Sequence, residues 1–237
     1  MTSAHIVFNS TAQQRNKLHY RSNFDQLISA NSATQQASGY SSLDKALLYG
    51  GWPRGDLIEV LSDGNGIGAL GPFLSAMASL SLEARWQTLI APPSPPYAPL
   101  LSARGIDTDK ILLVQPKSRK QLLLSTERAL RSNNSSVVLS WLGACQYSQE
   151  ELLQLQLAAN SSDSLAILFR ASQAAAYDSP ASLRLLMHEY RKLYILKQCG
   201  AEEGLDIELS ASEELPYQPQ LWELPNYSDN RASWATL

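Results

Sequence analysis

The residues best able to hold a phosphate are Gly66-Ile-Gly-Ala-Leu-Gly71, lying between an apolar run at Leu57–Leu61 and a helical spacing of Leu70, Phe73, Leu74 and Met77. Loop amides and a helix N-terminus in that order present oriented positive dipoles to an anion. Hydrolysis needs more: a lysine against the β/γ oxygens and a hydroxyl on Mg²⁺ at the helix start. Those two positions carry Gly68 and Ala69, and no lysine in the chain follows a glycine. An acid at the end of a later strand is the second requirement, and Ser140 or Trp141 stands there. Asp63, Gly64, Gly66, Gly68 and Ala69 therefore read as a degenerate phosphate loop without catalytic, metal-binding or cofactor-binding duty. The three spaced glycines also fit a dinucleotide fingerprint. The acid expected about 20 residues on is missing, because the next strand ends in Ile90, Ala91 and prolines.

Other chemistries find no footing. His5, His19 and His188 are scattered, and His188-Glu189 lacks the second histidine of a zinc-protease helix. No Gly-x-Ser-x-Gly elbow occurs. Cys145 and Cys199 allow one bridge at most and have no metal spacing, as expected of idle thiols in a reducing compartment. Trp141, at a strand end, fits either the core or an exposed anchor.

The elements that position these residues alternate. Strands are predicted at Leu57–Leu61, Thr88–Ile90, Ile111–Val114, Ser136–Trp141 and Leu165–Phe169, with helices near 70–77, 100–104, 122–130 and 150–160 between them. Pro92–Pro99 holds five of the 12 prolines and reads as a stiff loop. Apolar strands with crossover helices predict a mostly parallel sheet flanked by helices. After Pro180 short runs at Leu183–Met187, Leu193–Leu196 and Leu205–Leu209 predict an antiparallel extension at the sheet edge, with Asp206 and Glu208 outward.

The chain has 237 residues, 44% apolar, enough for a sizeable core. Its apolar runs are far shorter than the roughly 20 residues of a membrane span, and its start lacks a signal pattern, so a cytoplasmic location is expected. The net charge of −3 is uneven: residues 1–200 carry 18 basic against 14 acidic side chains, residues 201–237 one against eight. With a pI near 5.6 and no basic stripe, direct nucleic-acid binding is not expected. The reading divides the chain into a polar arm (1–36), an α/β domain (37–210) and an acidic tail (211–237). The tail holds Leu221, Trp222, Tyr227 and Trp234 without periodicity, the pattern of anchors for a partner.

Gly39-Tyr-Ser-Ser-Leu-Asp44, Gly50-Gly-Trp-Pro-Arg-Gly55 and Leu57-Ile-Glu-Val60 resemble the entry to the RecA core. Aligned without gaps, the lysine and threonine of that family fall on Gly68 and Ala69, so the resemblance implies a RecA-like fold that has lost nucleotide chemistry. Residues 39–209 also resemble the ImuA family of translesion-synthesis proteins, through Gly51–Gly55, Asp63–Gly68, Ile90–Pro93, Pro96–Pro99, Gly105–Asp107, Ala129–Ser132 and Leu155–Ala159. Arg85-Trp86, Ala91–Pro93 and Ala129–Arg131 leading to Ser136–Leu142 are similar to the SulA family. The ImuA resemblance implies a non-catalytic adaptor in SOS-induced error-prone synthesis, with RecA and an ImuB-like polymerase subunit as partners. The alternative is a SulA-type inhibitor that binds FtsZ and blocks septum assembly. A RecA-like ATPase with an unorthodox phosphate site is the third reading.

Overall fold

In the computed structural model, the run Leu57–Leu61 is buried throughout, because its strand lies near the middle of a sheet covered on both faces. The structure describes residues 35–63, 68–189, 191–210 and Glu213. Elements are β1 (Gln35–Gln36), α1 (Ser41–Ala46), β2 (Trp52–Pro53), β3 (Asp56–Ser62), α2 (Leu74–Leu80), β4 (Trp86–Ile90), α3 (Ala98–Ala103), β5 (Ile111–Val114), α4 (Arg119–Arg131), β6 (Ser135–Gly143), α5 (Gln149–Asn160), β7 (Leu165–Arg170), β8 (Leu183–Glu189), β9 (Lys192–Gln198) and β10 (Leu205–Glu208). Apart from a short β1–β2 pair, the strands form one eight-stranded sheet in the order β10-β9-β8-β3-β7-β6-β4-β5. All pairings from β8 to β5 are parallel, and those of β9 and β10 are antiparallel.

Side chains alternate across each strand, so every buried strand feeds two cores. On one face Ile58, Val60, Leu139 and Ile167 pack with Leu43 of α1, Met77 of α2 and Leu101 of α3. On the other, Leu57, Val138 and Leu168 pack with Leu122 and Leu130 of α4 and Leu152 and Leu155 of α5. Caps set the boundaries of the second pair of helices. Ser118 accepts from Gln121 N ahead of α4, and Ser148 forms a reciprocal capping box with Glu151 at α5.

The mixed α/β architecture and the antiparallel end of the sheet are as expected; two details differ. The helix expected near 70–77 begins as a 3₁₀ turn, Gly68–Phe73, with Pro72 inside it, and α2 starts only at Leu74. Proline has no N–H for an α-helical bond, so the tight turn precedes the regular helix. Leu183–Met187, expected in the antiparallel extension, lies in β8, which runs parallel to β3. Its crossover from β7 contains only a 3₁₀ turn, Ser172–Ala176, and so has no helical period to betray it. Among the described residues no helix is long and apolar enough to cross a membrane.

Candidate functional site

Nucleotides in open α/β sheets bind beyond the carboxyl ends of the strands, and there β3 delivers Asp63. Asp63 is exposed and accepts a short hydrogen bond from Ser172 Oγ. Gly64 and Gly66 lie outside the described residues. Gly68 opens the 3₁₀ turn, and Ala69 is buried on the α2 side of the sheet. Neither presents a charge. Trp141, open between core and anchor in the sequence, belongs to the core: it stacks on Phe169 at 4.6 Å, and Phe169 meets Phe73 edge-on at 6.2 Å.

Beneath this rim lies a group of charges that sequence reasoning passed over. Glu59 of β3 is fully buried; Arg170 Nη1 of β7 approaches it at 2.7 Å and Arg184 Nε of β8 at 2.6 Å. Arg184 Nη2 also donates to Ala174 O at 2.8 Å, while Arg170 Nε has no partner among the described residues. The register explains the meeting. Glu59 is level with Leu168 and Arg184 in the neighbouring strands, and Arg170, two residues past Leu168, is on the same face. A buried carboxylate requires such partners, and the only available signal was an acid inside an apolar run.

Tyr147 connects this group to the α4–α5 layer. The Arg170 guanidinium lies 5.7 Å from its ring centroid and that of Arg119 4.6 Å. Its hydroxyl donates to Leu142 O at 3.1 Å. Burial, with a smaller contribution from nearby Cys145, pushes the phenol up to about 12. Arg119 also pairs with Glu151. The Ser148 backbone N–H first, and Arg119 second, hold the Glu151 carboxyl below its usual range. A phenol protonated at every physiological pH is no base, and among the described residues no group of His, Cys, Asp or Glu could hold a metal. This arrangement ties β7 to the layer of α4 and α5.

At the opposite, amino-terminal rim, Arg54 pairs with Glu83 at 2.8 Å and Asp163 at 2.7 Å, and Arg85 pairs with Glu83. The Gly-Trp-Pro-Arg-Gly turn thus has structural duties. Trp52 is buried, Arg54 ties the turn after α2 to the turn before β7, and Gly55 (φ +69°) stands where a Cβ would come within 2.8 Å of Ser162 O. Beside the ion pairs two large apolar side chains face water, Leu82 (89% exposed) and Trp86 (47%). The tail residues Leu221, Trp222, Tyr227 and Trp234 lie outside the described residues, as do His5 and His19.

Residues 67–166 match the family model described as cell division inhibitor SulA. The cell division inhibitor SulA of Edwardsiella piscicida is 33% identical over 110 residues, which are 44% of this chain and 64% of that protein. That of Citrobacter koseri is 29% identical over 115 residues, 48% of this chain and 68% of the relative. This chain thus spans just under two thirds of the first of these relatives. Among solved structures, the crystal structure of SulA from Pseudomonas aeruginosa aligns with 33% identity over 48% of this chain and 97% of that one, with a TM-score of 0.40. The middle of the chain is SulA-like. The translesion-synthesis adaptor expected from the ImuA resemblance, with RecA and an ImuB-like subunit as partners, is corrected: the family model and these relatives are cell-division inhibitors. The motifs behind that expectation include turn and packing signatures such as Gly55 and Trp52, which serve the backbone whatever the protein does.

Proposed function

We propose that this chain is a SulA-type inhibitor of cell division, acting in the cytoplasm by protein contact and without catalysis, and that its partner is FtsZ. The observation that carries this reading is the continuous family match over residues 67–166, which includes α2 through α5. The glycine loop directly after a central parallel strand supports a RecA-like origin for the fold; Gly68 and Ala69, at the lysine and hydroxyl positions, support loss of nucleotide chemistry.

Trp86 and Leu82 are suited to anchor the partner, since exposed aromatic groups flanked by arginines often dominate interfaces. The tail residues Leu221, Trp222, Tyr227 and Trp234 are a second set of anchors on this reading. It retains the division into an arm (1–36), a domain (37–210) and a tail (211–237).

Expression of the full chain in dividing bacteria should produce filaments, and the purified chain should inhibit FtsZ polymerisation at about equimolar amounts. Trp86→Ala should weaken that inhibition roughly tenfold while leaving the melting temperature within a few degrees. Normal division at high expression, together with unimpaired FtsZ assembly at excess inhibitor, would refute the reading.

A further inference from the structure

The acidic tail touches the described domain at one known place. Glu213 accepts hydrogen bonds from Ser41 N at 3.2 Å and from Ser41 Oγ, at the first residue of α1. α1 runs alongside β10 in the opposite direction. Ser42 Oγ donates to Glu208 O at 3.3 Å at one end, and at the other Gln198 Nε2 donates to Ala46 O and Glu202 O. After β10 the bond from Glu213 N to Ser210 O at 3.2 Å closes a turn, and a turn of that kind reverses the chain. Ahead of a chain so turned lie Leu48 and Tyr49, just past the end of α1 and exposed by 40% and 42%. Their backbone is held in place, since Leu48 N donates to Gln198 Oε1 at 3.0 Å.

We propose that residues 214–217 of this chain's own tail lie along the outer side of α1, with Leu215 over the aliphatic stem of Lys45 and Tyr217 against Leu48 and Tyr49. Length fits. At about 1.5 Å per residue Ala46 stands roughly 8 Å beyond Ser41, with Leu48 and Tyr49 next in the chain, and four extended residues from Glu213 reach about 13 Å. Side-chain direction fits as well. A residue before proline favours extended backbone, and Leu215 precedes Pro216. Alternate side chains of an extended segment share a side, so the side that gives Glu213 to Ser41 also gives Leu215 and Tyr217 to α1. Charge narrows the choice of occupant. Glu202 and Glu203 are exposed beside Gln198 at the Leu48 end and repel an acidic partner, whereas residues 215–222 of the tail carry no charge. The polar arm also meets the domain nearby, where Gln35 lies beside Gly50, but residues 29–34 are only Ser, Ala, Asn and Thr, too small to cover a tyrosine. The docked stretch stops short of Leu221 and Trp222, so the proposal is independent of the partner those residues serve.

Chymotrypsin cuts after accessible aromatic residues, and the tail carries its own control in Trp234. In the full chain the cut after Tyr217 should be at least about tenfold slower than in a free peptide of residues 211–237, because cleavage follows the population of the open form. The cut after Trp234 should proceed at the peptide's rate. Leu48→Ser with Tyr49→Ser should restore the cut after Tyr217 and leave that after Trp234 unchanged. Leu215→Ser, a change in the tail that leaves the domain intact, should do the same. A cut after Tyr217 as fast in the full chain as in the peptide overturns the proposal. Protection that survives Leu48→Ser with Tyr49→Ser also overturns it, since the tail would then be held elsewhere and the arm would be left to cover Tyr49. Protection that grows with protein concentration overturns it too, because the tail would then be seated on a second copy.

Discussion

The two sides of the sheet hold their strands by different means. From β3 to β10 the order is fixed by ions and hairpins: Glu59 ties β3 to β7 and β8 through two arginines, and two antiparallel turns carry the chain to an edge bearing Asp206 and Glu208. From β6 to β5, within the stretch that matches the SulA family, the strands are parallel and held by apolar burial and small hydroxyl contacts. Thr88 Oγ1 lies 2.8 Å from Ser135 Oγ, and Thr126 Oγ1 2.7 Å from Ser140 Oγ. Buried ions enforce one register at the cost of desolvation, which suits strands that must not slip. An apolar strand at an edge that no described strand covers leaves backbone groups available.

The largest expected effect breaks the ionic side. Glu59→Leu leaves two guanidiniums buried without their carboxylate, a loss of about 3–5 kcal/mol by analogy with other broken buried pairs. For a domain of this size that lowers the melting temperature by roughly 10 °C. Replacing all three charges with apolar groups of similar volume should recover most of the loss. A single variant within 2 °C of the parent in a thermal melt would show that water reaches the trio and that the register is set elsewhere.

The second effect sharpens the contrast between edges by making β10 resemble β5. Asp206→Leu with Glu208→Leu alters two exposed side chains, so stability should change by less than about 1 kcal/mol. Association should change far more, because the charges that discourage pairing are gone. Sedimentation should then show more association than the parent chain at the same concentration. An unchanged size distribution would mean that α1, rather than charge, protects this edge.

Much of the apolar side was legible in the sequence because burial writes itself as periodicity. The runs Ile111–Val114 and Leu165–Phe169 are strands with nearly those bounds, and Gly105, at φ +79°, follows the short helix it was expected to end. Other features left no pattern. The crossover to β8 is a 3₁₀ turn, and the partners of Glu59 are 111 and 125 residues away, so nothing local in the strand names them. Function misled for a related reason. Glycine and proline turns such as that at Gly55 report backbone geometry, which proteins with different partners can share.

The smallest effect tests whether the two sides are coupled through Tyr147, between Arg119 of α4 and Arg170 of β7. An unfolded tyrosine ionises near pH 10, whereas burial pushes this phenol up to about 12. Below about pH 10 both states are neutral and the contribution to stability is intact. Between about 10 and 12 the unfolded chain releases its proton while the native state keeps it, so stability falls as pH rises through that window. Tyr147→Phe deletes this titration along with the bond to Leu142 O. The variant should be less stable by about 1 kcal/mol at neutral pH, and the gap should narrow toward pH 12. Ten tyrosines titrate in this chain, so the quantity to follow is the difference between parent and variant in matched denaturant melts. A gap that stays constant from pH 9 to 12 would mean that Tyr147 ionises as freely as in the unfolded chain, and the bridge between the ionic and apolar sides would then reduce to its hydrogen bond.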